Sequence, residues 1–261
     1  MMNPKRLTTL LFSILVNVSL LTAQSADAPP QNQKVEADKL YNEGNSFYKT
    51  GNYLGAIEKY KSALNLHKDY RYYYQLGLSQ KNAKRHDEAI AAFEEALKLK
   101  PDLAIGYNAL GGTHMERRTF DKAIEAFKQA LKYDPQMDRA KKGLSEAYAG
   151  NAQELINEGK ISEANALVDE ALAQHSDNAK LYLLAAIVYN KMERPEKALE
   201  AAQEAIKLKK RGSKGAEYFE VGLAYKKMKD YEKARVAFQE AKKDPAYSRN
   251  AQYELDGLKG K

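Results

Sequence analysis

Apolar and small residues recur along this chain at helical spacing, in paired stripes separated by short polar breaks. Tyr107, Leu110, Gly111 and His114 fall at i, i+3, i+4 and i+7, which puts all four on one face of a helix. The polar break Arg117-Arg118-Thr119 follows, and Ala123, Phe127 and Ala130 mark a second stripe. Asp134-Pro135 ends that stripe, because a residue before proline avoids the helical region. Six times an Ala stands seven residues ahead of another: Ala56, Ala89, Ala123, Ala164, Ala198 and Ala234 lead to Ala63, Ala96, Ala130, Ala171, Ala205 and Ala241. A small residue stands twelve positions upstream each time, at Gly44, Gly77, Gly111, Ala152, Ala186 and Gly222. The steps between repeats are 33, 34, 41, 34 and 36 residues. Such a period predicts stacked two-helix units, whose function is to present a surface.

The predicted repeats span 37–69, 70–103, 104–137, 145–178, 179–214 and 215–248. Within each, the small residues let two helix axes approach, while bulkier Tyr107 and Phe127 fill the space between layers. Asp87, Asp121 and Ser162 sit where second helices begin, where an oxygen can satisfy unpaired backbone N–H groups. The 41-residue step comes from seven extra residues, 138–144. Seven residues make two helical turns less about 20°, so a helix absorbs them without rotating its apolar face. Leu144, Tyr148, Ala152 and Leu155 continue one face, which predicts a long helix over 138–157; a loop or a bend is the alternative. Residues 249–261 read as a capping helix and tail.

These positions resemble the tetratricopeptide repeat family. Leu40, Tyr73, Tyr107, Tyr148, Tyr182 and Tyr218 fill its large position 4, and its small positions 8, 20 and 27 are filled in all six repeats. Departures are Gln80 and His114 at position 11, and Val168 and Ala202 at position 24. Proline at the repeat end is kept only at Pro101 and Pro135. The resemblance implies an all-α fold, a right-handed superhelical solenoid of antiparallel helix pairs with six repeats and a C-terminal cap. It also implies that first helices line a groove for a peptide or protein partner. Carried over, the groove positions include Tyr41, Asn45, Tyr48, Arg71, Tyr74 and Lys81 at one end. At the other end they include Leu183, Ile187, Phe219 and Leu223. The first set is amphipathic and rich in donors, the second an apolar strip that the alternative reading packs against neighbouring helices. The family's carboxylate clamp for chaperone tails is not matched: its five positions hold Tyr41, Asn45, Gln75, Ile105 and Ala109, and only the Asn survives.

The first 23 residues stand apart. Lys5 and Arg6 precede an apolar run, Leu7 to Leu21, that is diluted by Thr and Ser and shorter than the roughly 20 residues of a membrane span. Small Ala23 follows. This is the layout of a signal peptide cleaved after Ala23, with an uncleaved membrane anchor as the alternative. Residues 24–36 contain Pro29-Pro30 and read as a disordered linker. The expected location is therefore periplasmic or secreted. Cleavage takes 42 basic residues to 40 against 35 acidic ones, lowering the formal charge from +7 to +5. Both signs are interspersed, as on a soluble surface, so no nucleic-acid partner is expected.

With no cysteine, thiolate chemistry and disulfides are excluded. His67, His86, His114 and His175 are scattered over separate repeats, and no phosphate loop or nucleophile motif occurs. No cofactor, metal or enzymatic activity is expected. A cell-envelope carbohydrate-binding module, with tyrosines stacking on sugars, and a membrane-tethered organiser of envelope enzymes are the alternatives to a scaffold.

Overall fold

The computed structural model describes residues 31–174 and 177–260. The expected signal peptide 1–23, linker residues 24–30 and His175 lie outside them. Thirteen helices and no strand occur among the described residues. Two compact units divide the chain, one up to Arg85 and one from His86 onward.

The N-terminal unit holds α1 (Gln31–Lys49), α2 (Tyr53–Leu66) and α3 (Tyr70–Asn82). α1 starts six residues ahead of Ala37, the first residue of the expected repeat, so the predicted linker is shorter than 24–36. Nothing in Gln31–Glu36 is buried. The extra turns have helix-favouring residues after Pro30, and Lys34 pairs with Asp38 one turn on, at 2.8 Å. α1 and α2 pack tightly, and Tyr60 of α2 lies fully buried against Gly44 of α1. A Cβ at Gly44 would stand 2.6 Å from the Tyr60 ring, well inside contact distance.

The C-terminal unit continues with α4 (His86–Leu99), α5 (Ala104–Glu116), α6 (Phe120–Tyr133), α7 (Asp138–Asn157) and α8 (Ile161–Gln174). α9 (Ala179–Lys191), α10 (Pro195–Leu208), α11 (Gly215–Lys227), α12 (Tyr231–Lys242) and α13 (Ser248–Gly257) complete it. Ring-against-glycine contacts recur here. Phe127 is wedged between Gly111 and Gly143, Phe120 faces Gly150, and Phe238 faces Gly222. A Cβ at these glycines would come within 2.4–2.9 Å of the ring. Where repeats four and five carry the smaller Val168 and Ala202 at the ring's register, the opposing register holds Ala152 and Ala186 instead of glycine.

α7 is one uninterrupted helix of 20 residues. Residues 138–144 take part in its packing: Ala140 and Leu144 are buried and Gly143 receives Phe127. At the far end α13 buries Ala251, and Leu258 just beyond it, against Ala234, Phe238 and Ala241. Its polar side carries Glu254, which Lys226 of α11 reaches at 2.5 Å.

The turn from first to second helix uses one device six times. Gly51, Lys84, Arg118, Gly159, Glu193 and Lys229 share one register and all have positive φ, between 55° and 78°. Glycine adopts that conformation freely, whereas the other four side chains strain it by about 1 kcal/mol each. Asp87 and Asp121 fall inside the first turn of their helices rather than at the cap. Asp121 accepts from Asn151, and Asp87 pairs with Arg117, so their carboxylates are turned away from the backbone N–H groups.

Two outcomes follow from this packing. Gly222→Ala, which drives a methyl into Phe238, is expected to destabilise the chain by about 1–3 kcal/mol. Phe238→Val added to it is expected to cost less than the two changes separately, with coupling above about 0.5 kcal/mol in urea titrations. Lys229→Gly, which removes the strained turn side chain, is expected to raise stability by on the order of 0.5–1 kcal/mol in the same assay.

Candidate binding face on the first helices

In the N-terminal unit the expected contacts lie on α1 and α3, which pack side by side. Their tyrosines are largely occupied with one another. Tyr41 stacks on Tyr72 with ring centroids 4.8 Å apart and leans on Tyr60 at 5.7 Å, so it is half-buried packing. Tyr72 is buried, and its hydroxyl donates to Asp38 Oδ1 at 2.5 Å. Burial, then this acceptor, pushes the Tyr72 phenol well above its ordinary range. Asp38 is held below the usual carboxylate range, first by Lys34 and then by Tyr72.

Arg71 is exposed, yet two of its donors are used inside the chain. Nε and Nη2 donate to Asp69 at 3.0 and 2.7 Å, and Asp38 stands 3.8 Å away. Asp69 meanwhile caps α3 by accepting from the Arg71 backbone N–H at 2.8 Å. The guanidinium therefore neutralises a local carboxylate pair, which engages two of its five N–H donors and most of its charge inside the chain. Tyr74 and Lys81 are partly exposed on α3.

Asn45 and Tyr48 differ from these. The buried Tyr60 hydroxyl donates to Asn45 Oδ1 at 2.7 Å, which fixes the amide and leaves its NH2 group without a partner among the described residues. Tyr48 accepts from Asn82 Nδ2 at 3.0 Å and packs edge-on to Tyr53, while its own hydroxyl proton meets no described acceptor. Two adjacent turns of α1 thus hold positioned donors.

The apolar strip is divided. Leu183 and Ile187 are partly exposed on α9, with Ile187 packed on the central core. Phe219 of α11 sits between Phe238 and Tyr247, with centroids 5.6 and 5.7 Å away, and Leu223 joins the same cluster under α13. Much of Phe219 and Leu223 is thus drawn into terminal packing, which is the alternative the sequence left open. Burying each large side chain is worth about 2 kcal/mol, more than an exposed strip returns without a partner.

Sequence reasoning missed a buried polar joint between α9 and α11. Asn190 Nδ2 donates to the Glu220 carbonyl at 3.0 Å and to its Oε2 at 2.8 Å. Lys227 Nζ donates to the Asn190 carbonyl at 2.7 Å and to Glu193, and Lys209 Nζ reaches buried Glu217 at 2.7 Å. The signal was present in the register. Glu217 and Glu220 occupy positions where repeat five has the fully buried Leu181 and Leu184. Burial pushes the Glu220 carboxyl up to about 7, against the pull of the Asn190 hydrogen bond and the charges of Lys191 and Lys227.

No cluster of three His, Cys, Asp or Glu side chains suited to a metal occurs among the described residues. Nor is any described helix long and apolar enough to cross a membrane.

Two family models described as tetratricopeptide repeat match residues 41–104, 108–152, 149–216 and 218–243. Heat shock protein STI1 of Saccharomyces cerevisiae is 32% identical over 77 residues, 30% of this chain and 13% of that protein. The chain therefore spans only a small part of that relative's length. Among solved structures, the MamA protein is 25% identical over 71% of this chain and 96% of its own, with a TM-score of 0.51. YrrB, described as a repeat protein of the same kind with an unusual peptide-binding site, is 15% identical. That likeness covers 76% of this chain and 97% of YrrB, with a TM-score of 0.54, and it shows the fold alone. The helix pairs and the matched repeats define a helical-repeat scaffold. The chain belongs to the tetratricopeptide repeat family, whose repeats typically serve protein–protein interaction.

The Glu220 joint makes stability depend on pH. Between pH 4.5 and about 7 the unfolded carboxyl has lost its proton while the folded one retains it. The stability from this group is complete below 4.5 and is lost as pH rises through about 7. Glu220→Gln cannot ionise. Urea titrations at about pH 5 and about pH 8 should show the wild type losing on the order of 3 kcal/mol more than this variant over that interval.

Proposed function

We propose that this chain is an exported adaptor without enzymatic activity, which holds a peptide or protein partner against the first helices of its N-terminal unit. The observation that carries this reading is the pair of positioned donors on α1, the Asn45 amide and the Tyr48 hydroxyl. Each is fixed from behind by another side chain and has hydrogen left to give. Donors held in this way suit the carbonyl or carboxylate oxygens of an extended chain and spare the entropy of ordering them on binding. Partly exposed Tyr74 and Lys81 on the neighbouring α3 extend the same face. A sugar platform is less favoured, because the Tyr41 ring is already stacked on Tyr72. Lys5, Arg6 and the apolar Leu7–Leu21 run support export with cleavage after Ala23 into the periplasm or the medium.

A photoreactive residue in place of Tyr74 should crosslink a partner in the producing cells. Combining it with Asn45→Asp, which keeps the acceptor of Tyr60 and removes the amide donor, and with Tyr48→Phe should abolish capture while thermal melting changes little. Undiminished capture by that variant overturns the assignment. Export has its own readout: intact mass of the purified protein should begin at Gln24, and a mass that includes Met1 assigns the tethered alternative instead.

A further inference from the structure

The C-terminal unit contains a groove that the proposed function does not use. It runs between α4 and α6 over the floor of α5, with a volume of about 500 Å³. Ile90, Tyr107, Leu110 and Ala126 give it an apolar lining, and His114 lies at its floor. His114 is the residue that departs from the repeat pattern at position 11.

The imidazole is 7% exposed, and Thr119 pairs with one of its two nitrogens. The Thr119 hydroxyl lies 2.9 Å from Nδ1 and 3.2 Å from the His114 carbonyl, so it occupies the Nδ1 side of the ring. Nε2 is left with no partner among the described residues, and as a neutral ring nitrogen it accepts or donates according to the tautomer. Burial, then Lys122 and Arg117, holds this ring below its ordinary pKa and keeps it neutral.

The rim is acidic. Glu94 of α4 and Glu125 of α6 are exposed, and among the described residues Glu125 pairs only at 3.9 Å, with Lys128. Asp87 is occupied by Arg117 and Asp121 by Asn151, and Lys122 is the remaining base. Counting every charged group that lines the groove, four acids face two bases.

Two neighbouring places in this unit show which chemistry such surfaces accept. Lys197 lies 5.8 Å from the centroid of Tyr189, in a smaller groove of about 300 Å³. Lys128 lies 5.7 Å from the centroid of Tyr148 and pairs with Glu170 at 3.0 Å. In both, a lysine ammonium lies over an aromatic ring, in the second also against a carboxylate. At the register of Tyr189, His114 is the smaller side chain, and the groove above it is the larger one.

We propose that the α4–α6 groove docks a short peptide segment of a partner protein in which lysine or arginine flanks an apolar residue. The apolar side chain enters over Ile90, Leu110 and Ala126. A peptide backbone group pairs with His114 Nε2, and the flanking cations lie against Glu94 and Glu125. The cavity falls within the range of natural ligand sites, and complementary charge favours this sequence over acidic ones. This docking goes beyond the adaptor face of α1 and α3, and neither depends on the other.

The test uses the full chain and fluorescein-labelled, amidated peptides in anisotropy titrations. Gly-Lys-Leu-Lys-Gly should bind saturably, and Gly-Glu-Leu-Glu-Gly and Gly-Lys-Ser-Lys-Gly at least about tenfold more weakly. Glu94→Lys with Glu125→Lys, both exposed, should weaken binding of the first peptide to the same extent at unchanged melting temperature. Tyr48→Phe should leave it unaltered. In ¹⁵N spectra the His114 Nε2 resonance should move on titration. Absence of saturable binding, equal binding of all three peptides, or binding that survives charge reversal overturns the proposal. Self-association that the charge reversal abolishes assigns the groove to a second copy of this chain and also overturns it.

Discussion

An aromatic ring pressed against a position with no side chain is the contact on which the helix pairs depend. Tyr60 on Gly44, Phe127 between Gly111 and Gly143, and Phe238 on Gly222 all have this form. The ring brings a large apolar surface out of water, worth about 2 kcal/mol or more, and the missing Cβ lets the partner helix come close enough to bury it. Neither half works alone. A Cβ would collide with the ring, and a smaller side chain opposite glycine would leave a void. Repeats four and five shift both halves together, with Val168 and Ala202 set against the registers of Ala152 and Ala186.

Once pairing is secured this way, the remaining first-helix positions are free to vary, and they do. In the N-terminal unit they hold tyrosines whose rings pack and whose hydroxyls need partners. Tyr60 finds Asn45 and Tyr72 finds Asp38, which removes most of the cost of burying a hydroxyl. The Tyr60 bond holds the Asn45 amide by its oxygen and leaves its NH2 group without a partner among the described residues. Arg71 is drawn into the same packing by Asp69 and Asp38.

In the C-terminal unit the same freedom produces carboxylates inside the joint of α9 and α11. Glu220 is satisfied by Asn190 but remains poorly solvated, so its protonation is linked to folding. The strained turn residues Lys84, Arg118, Glu193 and Lys229 belong with it as local departures that the surrounding contacts outweigh. Arg118 and Glu193 recover part of the strain by pairing with Glu154 and Lys227.

Period, helix number and the family were legible in the amino-acid sequence, because small residues at fixed intervals leave no other way to pack two helices repeatedly. The long helix over Asp138–Asn157 was legible as well, since its apolar face never changes register. Which groove residues are available to a partner was not. Tyr41, Arg71, Phe219 and Leu223 look like contact residues by position, yet stacking, a carboxylate pair and the terminal helix claim them. Asn45 and His114 owe the polar atom that each has left unpaired among the described residues to which of their atoms Tyr60 and Thr119 occupy. Helical periodicity says which face a residue lies on. Whether its polar atoms are already satisfied depends on side chains from other helices and turns, and that was decided only in the tertiary structure.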